Sequence, residues 1–234
     1  MREDLELTIH EDSAELITSV VNKVMESLLL SLLEKRRFDI ALTGGTLGVQ
    51  LSEELLFRIN KAGDLSGLHI WFSDDRFVSL ESAARNSCLF VEHLRNETPE
   101  VHFVKSRSEV SSVQESATLY ENELSKFVMD ICILGLGQDG HVASLFPENW
   151  HAQKAISTKA VAIINSPKPP VERVTFSMGF INSSNQVWII AAGKSKALAV
   201  SQLLQSDQSV PAGSVKGKDS TRLFVDAEAF SLSN

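Results

Sequence analysis

The sequence predicts an α/β protein: a single Rossmann-like α/β/α sandwich around a mostly parallel sheet. Three observations carry this. Apolar runs of strand length recur along the 234 residues, and most are continuous rather than alternating, as in strands covered on both faces. Stretches with helical spacing separate them, joined by short connections. No internal repeat, low-complexity tract or long polar linker interrupts the order, so residues 1–234 read as one domain.

The elements follow in turn. In the first helix Ile17, Val20, Val21, Val24, Leu28 and Leu32 share a face, with Asp12 and Glu15 as an N-terminal cap pair. Strand 38–42 precedes a helix over 46–62 that Gly63 closes. Strand 68–72, helix 82–94, strand 101–104, helix 112–127 and strand 130–134 continue the alternation. Strands 161–164 and 173–176 flank Ser166-Pro167-Lys168-Pro169-Pro170, a proline cluster too short to divide domains and read as a stiff loop. Strand 187–192, helix 194–204 and strand 223–225 complete the pattern.

Composition narrows the function. Hydrophobic residues at 43% and charged residues at 22% are ordinary for a globular chain. The formal net charge of −8 argues against nucleic acid or an anionic membrane as main partner. It leaves room for an anionic small molecule held by clustered cations. Cys88 and Cys132 are too few for a disulfide framework or a multi-cysteine metal site, and both read as packed thiols. The acidic N-terminus lacks a signal-peptide core, and the leucine-rich stretch 28–33 is too short to span a bilayer. A soluble, cytoplasmic monomer or weak homo-oligomer is expected.

In an open parallel sheet, ligands bind beyond the carboxyl ends of the strands. Thr43-Gly44-Gly45-Thr46 follows the strand 38–42 and opens a helix; it suits an anion, or is a plain turn with Thr46 as N-cap. Ser73-Asp74-Asp75-Arg76-Phe77-Val78 follows 68–72. It offers a catalytic carboxylate beside a phosphate-binding arginine, or a solvated turn with an internal ion pair. Strand 130–134 runs into Gly135-Leu136-Gly137-Gln138-Asp139-Gly140-His141. Those glycines satisfy G-x-G-x-x-G, but Pro147 comes too early for the long helix of a dinucleotide site, and no acidic strand end follows at the needed spacing. An imidazole on a strand-end turn is instead a candidate acid–base group. Lys168, Arg173 and Lys196 join Arg76 around the same edge. Convergent cations and a neutral-range base suggest acid–base chemistry on a small phosphorylated substrate, with no metal-ligand spacing or reactive cysteine competing.

These segments resemble the 6-phosphogluconolactonases of the pentose phosphate pathway, within the glucosamine-6-phosphate isomerase/6-phosphogluconolactonase superfamily. The likeness covers nearly the whole chain. It rests on Gly44-Gly45-Thr46, Asp74 through Val78, Gly135 through Pro147, Ser166 through Thr175 and Gly193 through Lys196. The ending Ser144-Leu145-Phe146-Pro147 is the most specific and favours the lactonase branch. The resemblance implies a NagB/RpiA-like fold and metal-free, cofactor-free hydrolysis of 6-phosphoglucono-δ-lactone to 6-phosphogluconate. His141 would take a proton from water and return it to the ring oxygen. Arg76, Lys196 and the Gly44-Gly45-Thr46 amides would hold the phosphate. Asp74 would bind sugar hydroxyls or orient His141, and Lys168 and Arg173 would line the pocket. Two rivals share the scaffold: an isomerase/deaminase with an Asp74-type carboxylate as base, and a non-catalytic sugar-phosphate sensor.

Overall fold

A computed structural model of the chain describes residues 2, 4–34 and 36–231. Its first strand, β1 (Leu5–His10), is absent from the sequence expectation. It lies at a sheet edge, so most of its residues are half-buried or exposed instead of forming a continuous apolar run. Asp12 then caps α1 (Ser13–Leu33), accepting from the Glu15 amide at 2.9 Å, while the Glu15 carboxylate accepts from the Glu11 amide at 2.7 Å. By length and apolarity α1 could cross a membrane, yet its Leu16–Val20–Val24–Leu28 stripe is fully packed into the core.

The chain continues through β2 (Phe38–Leu42), α2 (Gly45–Lys61), β3 (Leu68–Phe72), β4 (Asp74–Arg76), α3 (Cys88–His93), β5 (Glu100–Val101), α4 (Val113–Leu124) and β6 (Ile131–Gly135). Then come α5 (Trp150–Gln153), β7 (Ala160–Ile163), β8 (Arg173–Phe176), α6 (Met178–Ser183), β9 (Gln186–Ala191), α7 (Ala197–Leu204) and β10 (Ser220–Asp226). Seven strands form one sheet in the order β1-β10-β9-β6-β2-β3-β5, and every pairing within it is parallel.

Alternation along each strand divides the core. Ile40, Leu42, Ile70, Phe72, Ile133 and Ile190 face α1 and α2 on one side. Ala41, Trp71, Cys132, Leu134 and Ile189 face α4, α6 and α7 on the other. Burial pushes the Cys132 thiol up to about 12, which leaves it a packing group.

Several expectations are corrected. Strands 161–164 and 173–176 flank the proline loop but do not lie in the parallel sheet. Instead β7 and β8 pair antiparallel with each other and with β4 in a separate three-stranded sheet. The loop 164–172 is too short for the crossover that parallel strands require. Of 101–104 only Val101 lies in β5, a two-residue edge strand. The helix expected over 82–94 shrinks to α3, because the Asp75 carboxylate captures the Asn86 amide and the Ser87 hydroxyl and holds the preceding residues in turns. The helix expected over 194–204 begins with a 3-10 turn, Lys194–Lys196, ahead of α7.

Candidate active site

The strand order reverses between β2 and β6. From β2 the chain moves outward to β3, and from β6 it moves outward to β9. Such a switch point leaves a crevice at the strands' carboxyl ends. The two bordering turns are tied together, the Thr43 hydroxyl accepting from the Gly135 amide at 3.0 Å. An open cleft of about 770 Å³ lies there, lined by His141, Asp74, Gly44, Gly45, Thr46, Arg76, Lys168, Arg173 and Lys196. The candidate residues, drawn from six loops and strand ends, therefore share one hollow.

His141 closes the turn that leaves β6. The turn folds back on itself through Gly137 N–H to His141 O at 2.9 Å and Gly140 N–H to Gly137 O at 3.1 Å. Gly137 is required by space: a Cβ there would stand 1.9 Å from His141 Nδ1 and 2.5 Å from an Asp139 oxygen. The ring packs against Phe146, and Nδ1 hydrogen-bonds the Asp139 carboxylate. A carboxylate only accepts, so Nδ1 carries the proton and Nε2 keeps its lone pair.

Asp139, not Asp74, thus orients the imidazole; Asp74 is committed elsewhere. Asp139 was not among the candidate residues, although it stands two positions before His141 in the same motif. Burial holds His141 below its ordinary 6.5, and the nearby Lys168 charge pushes the same way, against the opposing pull of Asp139. Burial would raise Asp139, but its hydrogen bond to His141 and the His141 and Lys168 charges prevail and lower it. Lys168 Nζ lies 3.3 Å from His141 Nδ1 and 3.4 Å from Asp139.

Strand β4 makes Asp74 and Asp75 point oppositely. Asp74 accepts from Ser144 Oγ at 2.6 Å on one oxygen and from Asn86 Nδ2 at 3.0 Å on the other. Asp75 is fully buried and pairs with Arg85 at 3.0 Å while accepting from the Asn86 and Arg76 amides at 2.7 and 2.8 Å. Burial raises its pKa, and the Arg85 guanidinium opposes that. Asp75 is a scaffold beneath the site. The contacts of Asn86 and Ser144 with Asp74 are not legible in the sequence, since only the fold brings them together.

Gly44 caps α2 with no side-chain hydrogen bond, so Thr46 is not the N-cap and the first amides of the helix are available to an anion. A Cβ on Gly44 would meet Asn86 Oδ1 at 1.9 Å. Gly44→Ala is therefore expected to displace Asn86, loosen Asp74 and lower kcat/KM by about tenfold. Steady-state kinetics with circular dichroism check this; a parent-like rate would show that Asn86 does not matter to catalysis.

The four cations are not equivalent. Arg173 has most of its donors engaged, Nε on Pro170 O at 3.0 Å, Nη2 on Lys168 O at 2.8 Å and Nη1 on Ser144 Oγ at 3.4 Å. It braces the proline loop and lines the cleft. Arg76 sits opposite Arg173 in the β4–β8 register and spends one donor on Ala84 O. Burial lowers the Lys196 pKa, and the charge of Lys168 adds to that against Asp139. Lys168 and Lys196 thus feel each other, as two ammonium groups sharing space for an anion would.

Comparison with known proteins agrees with this architecture. A model of the family described as glucosamine-6-phosphate isomerases/6-phosphogluconolactonase matches residues 11–224. The chain is 30% identical to a 6-phosphogluconolactonase of Mycobacterium leprae, over 94% of this chain and 95% of that one. It is 32% identical to the human 6-phosphogluconolactonase, over 88% of this chain and 83% of the other. The crystal structure of the Thermotoga maritima 6-phosphogluconolactonase superposes with a TM-score of 0.81 at 28% identity, covering 95% of this chain and 99% of that one. With the matched region spanning both walls of the cleft, the chain belongs to the glucosamine-6-phosphate isomerase/6-phosphogluconolactonase family.

Proposed function

We propose that the protein hydrolyses 6-phosphoglucono-1,5-lactone to 6-phosphogluconate, with His141 as general base. The observation that carries the mechanism is the Asp139–His141 pair on the cleft wall, with Nδ1 tied down and Nε2 left to act. Relatives named 6-phosphogluconolactonase support the reaction class.

The chemistry needs little more than these groups. A lactone carbonyl is already electrophilic, so the demands are an activated water, a fixed ring and a proton for the departing oxygen. His141 Nε2 removes a proton from water as oxygen attacks C1. The imidazolium, stabilised by Asp139, returns that proton to the ring oxygen as the C1–O bond breaks. Arg76, Lys196 and the α2 amides hold the phosphate, and that remote grip keeps C1 within reach of the base. Lys168 adds positive charge where the product carboxylate forms. Asp74, fixed by Ser144 and Asn86, meets the sugar hydroxyls.

The acid limb of the pH profile tests the pair. With His141 held below 6.5, kcat/KM should rise with pH along a limb whose midpoint lies below that of an ordinary imidazole. Asp139→Asn removes the group that raises this pKa, so the limb moves to lower pH. Its kcat should fall by about 10²-fold or more, because the amide no longer enforces the tautomer. Lys168→Met removes a group that lowers the pKa and moves the limb the other way. Shifts of the same sign in both variants would overturn the assignment. Hydrolysis of the lactone without isomerisation or ammonia release separates the reading from the deaminase, and turnover separates it from a sensor.

A further inference from the structure

We infer that His69, Glu100 and His102 form a second site, for a zinc-type divalent cation, at the end of the sheet opposite the cleft. The register creates it. His69 on β3 is the direct partner of Glu100 on the edge strand β5, and His102 follows Glu100 by two residues on the same face. The candidate ligand atoms are closely spaced: His69 Nδ1 to His102 Nε2 is 3.0 Å, His69 Nδ1 to Glu100 Oε2 is 3.3 Å, and His102 Nε2 to Glu100 Oε1 is 3.8 Å. Tetrahedral zinc with bonds of about 2.0–2.1 Å sets its ligand atoms roughly 3.3 Å apart. The two histidines stand 33 residues apart in the chain, which hides the set from any search for close metal-ligand spacing.

The surroundings are those of a ligating histidine. His102 Nδ1 hydrogen-bonds the Glu123 carboxylate of α4, which puts the proton on Nδ1 and turns the Nε2 lone pair toward His69. Trp71 stacks on the His102 ring, centroids 3.7 Å apart and planes 5° from parallel, so the ring is held in place. Around the rings lie the carboxylates of Glu100, Glu123 and Asp39 and the guanidinium of Arg37, itself paired with Asp39 at 2.7 Å. A dication balances that set. Glu100 is largely exposed and gives the ion a path in. Bound there, the ion would pin the two-residue strand β5 to β3 and α4 without touching the catalytic cleft.

Calorimetric titration of the chelator-treated full chain with zinc chloride tests this, alongside the visible spectrum with cobalt(II). One equivalent should bind, the cobalt complex should show tetrahedral ligand-field bands, and zinc should raise the melting temperature. Glu100→Gln and His69→Gln should each abolish the bands and the thermal shift while leaving lactone hydrolysis at the parent rate. Glu123→Gln should weaken binding by about 10–100-fold. His141→Ala should bind as the parent does. The proposal falls if the parent takes up no stoichiometric metal, if Glu100→Gln and His69→Gln both bind as well as the parent, or if binding disappears with His141. The first two results would mean that the imidazoles only hydrogen-bond each other.

Discussion

His141→Ala is expected to lower kcat for lactone hydrolysis by about 10²–10⁴-fold, the range that a positioned general acid–base group supplies. Product affinity should change little. The imidazole lies on the cleft wall, but its Nδ1 is spent on Asp139 and its ring rests on Phe146, so removing it takes away a proton carrier more than a phosphate contact. The background rate is not negligible, since the lactone opens in water unaided; the difference must therefore be read as enzyme-dependent turnover at saturating substrate. Stopped-flow or pH-stat kinetics supply kcat, and calorimetry with 6-phosphogluconate supplies affinity. A kcat at the parent level would remove His141 from the mechanism. A collapse of product affinity with kcat intact would recast it as a binding group.

Arg76→Ala should do the reverse. Hydrogen bonds to a charged partner contribute about 1.5–3 kcal/mol each, so losing one guanidinium contact to the phosphate should reduce kcat/KM by about 10–10²-fold, mostly through KM. Arg76 is well placed for the role: its backbone is locked by the Asp75 carboxylate at 2.8 Å, its register partner is Arg173, and one donor remains anchored to Ala84. Arg76→Lys should recover part of the loss, because it restores charge without the planar fork. The KM-against-kcat split for the pair of variants is the check. If Arg76→Ala lowered kcat and left KM alone, the phosphate would have to be held by Lys196, Lys168 and the α2 amides instead.

The site was legible wherever function and local chemistry coincide in one short segment. Gly135 through His141 announces a strand-end turn with a titratable group, and Gly44-Gly45-Thr46 announces a helix N-terminus open to an anion. Asp139 stood in view two positions before His141, but its hydrogen bond to the ring exists only in the folded turn. Asp74 was expected to bind sugar hydroxyls or to orient His141, and the ring's hydrogen bond runs to Asp139 instead. The hydrogen bonds of Asp74 run to Ser144 and Asn86, 70 and 12 residues away in sequence. Arg173 lines the pocket with the other cations, and its donors also brace the loop that carries Lys168.

By itself the sequence determined the parallel α/β core and pointed to the strand ends and to the histidine proposed as the base. Those properties follow from local patterns: continuous apolar runs, helical spacing, and glycines beside a histidine. Tertiary structure alone decided the rest. It alone decided that β7 and β8 leave the main sheet, that β4 turns Asp74 toward the cleft and Asp75 away from it, and that His69, Glu100 and His102 meet at the far edge. The physical reason is that strand pairing is a long-range choice. Which faces oppose depends on register and loop length, and a hydrogen-bond partner may be any residue the register brings within about 3 Å.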